Sequence, residues 1–172
     1  MFLAPVCLCY FCLEIPSVLN NDGIDANGNV YLKGGLVYAI GASSPEMAID
    51  ANSEEQKKLY VQGGTIVAVG GLESGASLTQ SCYKASSWSK NTWYALTVGS
   101  DVFAFKTPSS GGSNLIVSGA STPTLKSGVT ASGTEIFDGV GFYPAEATGG
   151  SSVSLSSYTG GGGGPGGGGG RW

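Results

Sequence analysis

The sequence predicts an all-β fold, a right-handed parallel β-helix in which short strands stack as the coils of a solenoid. Three observations carry this expectation: a duplicated block between residues 24 and 70, a two-residue alternation inside each copy, and a composition rich in glycine but poor in charge. The duplication is direct. Ile24-Asp25-Ala26-Asn27 recurs as Ile49-Asp50-Ala51-Asn52, and Val30-Tyr31-Leu32-Lys33-Gly34-Gly35 recurs as Leu59-Tyr60-Val61-Gln62-Gly63-Gly64. Leu36-Val37-Tyr38-Ala39-Ile40-Gly41 then recurs as Thr65-Ile66-Val67-Ala68-Val69-Gly70, with a weaker echo at Leu115-Ile116-Val117-Ser118-Gly119. The first block is displaced by 25 residues and the later ones by 29, because Ser53–Lys58 replaces Gly28-Asn29 with four extra residues.

Within each copy the aliphatic residues alternate with tyrosine, as in Val30-Tyr31-Leu32 and Leu59-Tyr60-Val61. A period of two places the aliphatic residues on one face of a strand and the tyrosines on the other. Val37 with Ala39, and Ile66 with Ala68, form the next inward pairs, and the Gly-Gly pairs supply corners that need positive φ. Such a short unit cannot bury its apolar face alone, and stacking on its neighbour solves the problem. Parallel pairing is therefore expected between the copies, with Tyr31 beside Tyr60. A propeller blade needs a longer repeat of four antiparallel strands.

Composition excludes several functions. Charged residues make up 12% of the chain, the net charge is −4, and the eight Lys and Arg residues are scattered. No cationic stripe exists to neutralise a phosphate backbone, so no nucleic-acid partner is expected. The chain has no histidine, which removes the usual nucleophilic triads and the commonest metal ligand. The cysteines are Cys7, Cys9, Cys12 and Cys82. Cys9 and Cys12 form C-x-x-C without a second such pair, so these residues read as small hydrophobes rather than as a zinc site.

The apolar run Phe2–Leu13 is too short to span a bilayer as a helix, and no membrane span is expected. No Lys or Arg precedes it, so it departs from a secretory leader. Residues 1–19 are expected to lie outside the repeat fold as an atypical apolar segment, and residues 20–159 to form the β-helix. Residues 160–172, glycine interrupted by Pro165 and ending in Arg171-Trp172, are expected to be a disordered tail.

The run Asn21-Asp22-Gly23-Ile24-Asp25-Ala26-Asn27-Gly28-Asn29-Val30-Tyr31, followed by Lys33-Gly34-Gly35, resembles the signature of bacterial carbohydrate-binding-domain proteins. The resemblance covers roughly residues 20–160. It implies a calcium-binding parallel β-helix, secreted or held at the cell surface, that binds plant-type or acidic polysaccharide. Members usually carry further coils upstream, so the coil beginning near Asp22 is expected to be one of several.

The cation has its own argument. In stacked coils, equivalent residues lie about 4.8 Å apart, so Asp25 is expected over Asp50 and Asn27 over Asn52. Two carboxylates at that spacing repel by roughly 3 kcal/mol at an effective dielectric near 20. A proton, divergence into solvent, or a cation relieves the repulsion. Asp22, Asp25, Asn27, Asp50 and Asn52 offer the hard oxygen ligands that Ca²⁺ takes, with Glu46 nearby in the alignment. The same Asp and Asn residues also suit turn closure through local backbone N–H groups, and the sequence leaves both roles open.

The repeat breaks between Gly75 and Ser100, where Tyr83, Trp88, Trp93 and Tyr94 stand among Ser, Asn, Thr and Lys. Aromatic rings in a polar loop suit stacking on sugar rings, and these four are the candidate carbohydrate contacts. Packing of the same rings on the flank of the fold is the competing role. The functional expectation is non-catalytic polysaccharide binding, assisted by Ca²⁺. The alternatives are a calcium-dependent polysaccharide lyase using Lys33, Lys57 or Lys58 as base, and a structural surface spacer.

Overall fold

The computed structural model describes residues 22–160. The apolar segment 1–19 with its three cysteines, and the glycine tail beyond Gly160, lie outside the described residues. The chain is all-β. Its strands are β1 (Val30–Ile40), β2 (Leu59–Val69), β3 (Ser77–Leu78), β4 (Cys82–Ala85) and β5 (Trp93–Val98). They continue as β6 (Asp101–Lys106), β7 (Leu115–Ser118), β8 (Thr124–Ile136), β9 (Gly141–Val153) and β10 (Leu155–Tyr158). A single 3-10 turn, Ser53–Glu55, lies among them. No helix among the described residues is long and apolar enough to cross a membrane.

The two copies of the repeat pair in parallel. Val30 lies beside Leu59, Tyr31 beside Tyr60 and Leu32 beside Val61; after register shifts at Lys33, Leu36 to Ile40 lie beside Thr65 to Val69. The glycines follow the register shift: Lys33, rather than Gly34, is the partner of Gly63. A third rung follows, because β3 pairs in parallel with β2 through Tyr60–Ser77 and Val61–Leu78. At the preceding corner, parallel bridges join Ile24 to Ile49 and Ile49 to Leu72.

The interior of this stack holds Leu32, Val37, Ala39, Ile49, Leu59, Val61, Ile66, Ala68 and Leu72. These are the residues that the alternation points inward. Cys82 is buried among them, as a small hydrophobe would be.

From Cys82 onward the pairing is antiparallel, so the parallel coils expected across residues 20–159 are confined to the first part of the chain. β7 runs antiparallel to both β2 and β4, and β10 antiparallel to β4. The echo at Leu115–Gly119 therefore joins the sheet in the opposite direction from the repeat that it resembles. Strands β5, β6, β9 and β8 close a barrel.

Local chemistry explains the change. Val98 pairs with Asp101 across Gly99-Ser100, and Gly99 has φ +61°. Ile136 pairs with Gly141 across a turn in which Phe137, Asp138 and Gly139 all have positive φ. Tight turns of this kind join antiparallel neighbours, whereas parallel neighbours need a long crossover.

The barrel packs on the reverse face of the sheet. Tyr38, Val67 and Val69 meet Tyr94, Leu96, Phe103, Phe105, Leu115 and Leu125 in a second apolar cluster. The second half of β2 is thus covered on both faces, Ile66 and Ala68 toward the stack and Val67 and Val69 toward the barrel. This explains its unbroken apolar run. The Tyr38 hydroxyl, held in that cluster, donates to the Lys106 carbonyl at 2.7 Å, and burial pushes its pKa up.

Candidate functional site

The best-formed polar cluster sits at the corner where the three rungs stack. The Asp50 N–H donates to the Ile24 carbonyl at 2.8 Å, and the Glu73 N–H to the Ile49 carbonyl at 3.0 Å. This ladder places Asp25, Asp50 and Glu73 on successive rungs, each following its inward Ile or Leu. Asp22, from the turn just before, completes the group: Asp22, Asp25 and Asp50 have carboxylate oxygens within 4.8 Å of one another.

Gly23 allows the approach of the chain that carries Asp22. A Cβ there would stand 2.6 Å from the Ile40 carbonyl oxygen and 2.7 Å from that of Ala48. Neither backbone oxygen is free to move independently of the stack. Gly23→Ala is therefore expected to destabilise the protein by about 1–3 kcal/mol. Equal urea midpoints for variant and wild type would contradict that packing.

The electrostatics are one-sided. Among the described residues, every charged group acting on Asp22 is another carboxylate, from Asp50, Glu46 and Asp25. Burial is the largest cause raising the Asp22 pKa, and the hydrogen bond from the Met47 N–H opposes it. Asp50 accepts from the Ala51 N–H at 2.9 Å.

Glu73 extends the stack on the far side of Asp50. It is only 4% exposed, and its Oε1 has no hydrogen-bond partner among the described residues. Burial pushes its pKa up and the Asp50 charge adds to the rise, while the Ser53 hydroxyl and the Leu59 N–H pull it down. A buried carboxylate with an unpartnered oxygen is costly, and a bound cation would satisfy it. Sequence comparison missed Glu73 because the third rung keeps only Leu72-Glu73 of the Ile-Asp-Ala-Asn unit. The available signal was an acidic residue directly after an inward aliphatic one.

A pH dependence follows. A carboxyl whose folded pKa lies above its unfolded value, 4.5 for Glu73, holds its proton more tightly in the folded state. Its contribution to stability is fully present below the unfolded pKa and is lost as pH rises through the folded pKa. Without divalent cations, stability is expected to fall on going from pH 4.5 upward, and Glu73→Gln to flatten that fall. Urea midpoints measured in chelator across pH 4–8 check this; parallel curves for the two proteins would remove Glu73 as the source.

Asn27 and Asn52 stand beside the acidic cluster in sequence, each two residues after its rung's Asp. Asn52 has φ 52° and its side chain accepts from the Glu55 N–H at 3.3 Å, capping the 3-10 turn. The extra residues Ser53–Lys58 hold that turn, which spans Ser53–Glu55. Asn27 is exposed. For Asn52, turn closure is the role observed.

The four aromatic candidates separate. Trp93 and Tyr94 are consecutive on β5 and face opposite sides. Tyr94 is 1% exposed, stacks on Phe105 at 5.5 Å, and accepts at its hydroxyl from the Ser89 N–H at 2.8 Å. It belongs to the core, so its assignment as a sugar contact is corrected. Trp93 is half-buried and stacks on Phe142 at 5.2 Å. Trp88 is half-buried against the second apolar cluster, and its indole N–H donates to the Ser113 carbonyl at 3.2 Å. Tyr83 is half-buried on β4, with its hydroxyl 3.3 Å from that of Thr122. Trp93 and Tyr94 each stack on a ring outside this group, Phe142 and Phe105.

Another aromatic pair does stack. Tyr31 and Tyr60 lie with centroids 4.7 Å apart and planes 7° from parallel, the spacing that adjacent strands impose. The Lys33 ammonium lies 5.5 Å from the Tyr31 centroid, within the range of a cation–π contact. In comparisons with protein-family models, with curated proteins and with solved structures, the chain gives no match.

Proposed function

We propose that this protein is a non-catalytic binder of extracellular polysaccharide, secreted or displayed at the cell surface, that uses Ca²⁺ to engage acidic sugars. The rungs carried by β1, β2 and β3 are read as coils of a right-handed parallel β-helix. The observation that carries the proposal is the clustering of Asp22, Asp25 and Asp50 within 4.8 Å, with the buried Glu73 and its unpartnered oxygen beside Asp50.

Four carboxyls without a compensating cation among the described residues favour a hard divalent ion. Such an ion keeps ligand positions open where it faces solvent, and Asp25 is exposed. A uronate carboxylate on a polysaccharide can fill them. Ca²⁺ would supply the bridging charge, Asp22, Asp25 and Asp50 would hold it, and Glu73 would support it from the buried side.

The test is binding to polygalacturonate by affinity electrophoresis, with calcium and with chelator. Retardation in calcium that disappears in chelator and in Asp50→Asn is the expected result; retardation indifferent to both overturns the calcium role. The same incubation reads the lyase alternative, because an unsaturated product absorbing in the ultraviolet would mark cleavage and none is expected.

A further inference from the structure

A second polar surface lies apart from the carboxylates in composition. The residues after β3 and the start of β4 fold against the loop following β7 and leave a groove of about 510 Å³. Its walls include Gln62, Thr79, Gln80, Tyr83, Ser121 and Thr122, and no Asp, Glu, Lys or Arg lines it.

The floor is fixed. The Gln80 side-chain amide donates to the Gly64 carbonyl at 2.7 Å and to the Ser118 hydroxyl at 2.8 Å. The Ser118 hydroxyl donates in turn to the Ser81 carbonyl at 2.7 Å, and Ser118 is fully buried. With both amide hydrogens engaged, the orientation of the Gln80 side chain is set before any ligand arrives, which lowers the ordering cost of binding.

The walls offer hydroxyl and amide groups, and Tyr83 adds an aromatic ring. Gln62, at the register shift between β1 and β2, is exposed at the groove's edge. An aromatic ring beside uncharged donors and acceptors matches a sugar unit, whose ring faces are apolar and whose edges carry hydroxyls.

We infer that this groove holds uncharged sugar units of a polysaccharide. The inference rests on the reading of the protein as a polysaccharide binder. It adds a subsite that works without Ca²⁺ and that selects neutral rather than acidic units.

The test is affinity electrophoresis in gels containing hydroxyethylcellulose, xylan or glucomannan, each with calcium and with chelator, and polygalacturonate gels run in parallel. Retardation in at least one neutral polysaccharide, equal in calcium and chelator, is expected. Tyr83→Ala removes the ring, and Ser121→Trp fills the groove from an exposed position. Each should weaken that retardation by about tenfold or more while leaving the polygalacturonate response unchanged.

Ser121→Trp keeps the result interpretable if Tyr83→Ala proves unstable, because Ser121 is exposed. Retardation by none of the three neutral polysaccharides overturns the groove, as does retardation that survives both variants. Failure in polygalacturonate alone counts against the calcium reading and not against the groove.

Discussion

Tyr94→Ala is expected to lower the unfolding free energy by about 3–5 kcal/mol, the cost of emptying a large aromatic site in a packed core. The reasoning starts from position. Tyr94 is 1% exposed, stacks on Phe105, which in turn lies 5.5 Å from Tyr38 and 5.4 Å from Phe103, and anchors the Ser89 N–H through its hydroxyl. Truncation leaves a cavity between barrel and sheet and removes the acceptor used by Ser89. The neighbouring Trp93→Ala removes a half-buried ring stacked on Phe142 and is expected to cost about 1–2 kcal/mol. Urea unfolding followed by circular dichroism separates the two. A Tyr94→Ala midpoint equal to that of wild type would show that the barrel does not rest on this ring. Sugar binding lost in Tyr94→Ala would report unfolding, so that variant is no probe of ligand contact.

The second large effect concerns calcium. An ion that binds only the folded state stabilises it by about 2.7 kcal/mol at a free concentration a hundredfold above its Kd. For a chain of this size that corresponds to a Tm rise on the order of 10 °C. Asp50 stands between Asp25 and Glu73 in the ladder and acts on both Asp22 and Glu73, so Asp50→Asn is expected to remove most of the rise. The same substitution relieves repulsion, so it is expected to raise the Tm in chelator. These opposite signs in calcium and in chelator distinguish a cation site from turn closure, which would make Asp50→Asn neutral or harmful in both. A Tm in wild type that does not move with calcium would leave the carboxylates without this role.

Much of the parallel stack was legible in the sequence because its determinants are local and repeated. Ile24 and Ile49, Tyr31 and Tyr60, and Leu32 and Val61 occupy matching places in two copies of one unit, and in-register pairing is the arrangement that buries their aliphatic face. The pairing of Asp25 with Asp50 came with it. The barrel was obscured for a different reason. Its strands do not resemble the repeat, and the stretch through Trp88, Trp93 and Tyr94 reads as a polar insertion unless Gly99-Ser100 is recognised as a hairpin turn between two alternating runs.

The aromatic residues show the division most clearly. Trp93 and Tyr94 are neighbours in sequence, yet one is half-buried and the other is sealed in the core, because one face of β5 packs into the second apolar cluster. The sequence by itself determined the β character, the parallel register of the two copies and the acidic residues that the register stacks. Tertiary structure alone decided that the reverse face of β2 is covered, that Asn52 caps a 3-10 turn, and that Glu73 joins the carboxylates on a third rung. It also brought Gln62, Tyr83 and Ser121 to one groove from three separate segments. The physical reason is the range of the interactions. Register follows from side chains repeated within one unit, whereas burial, an unpartnered oxygen or a groove depends on which distant segment packs against it.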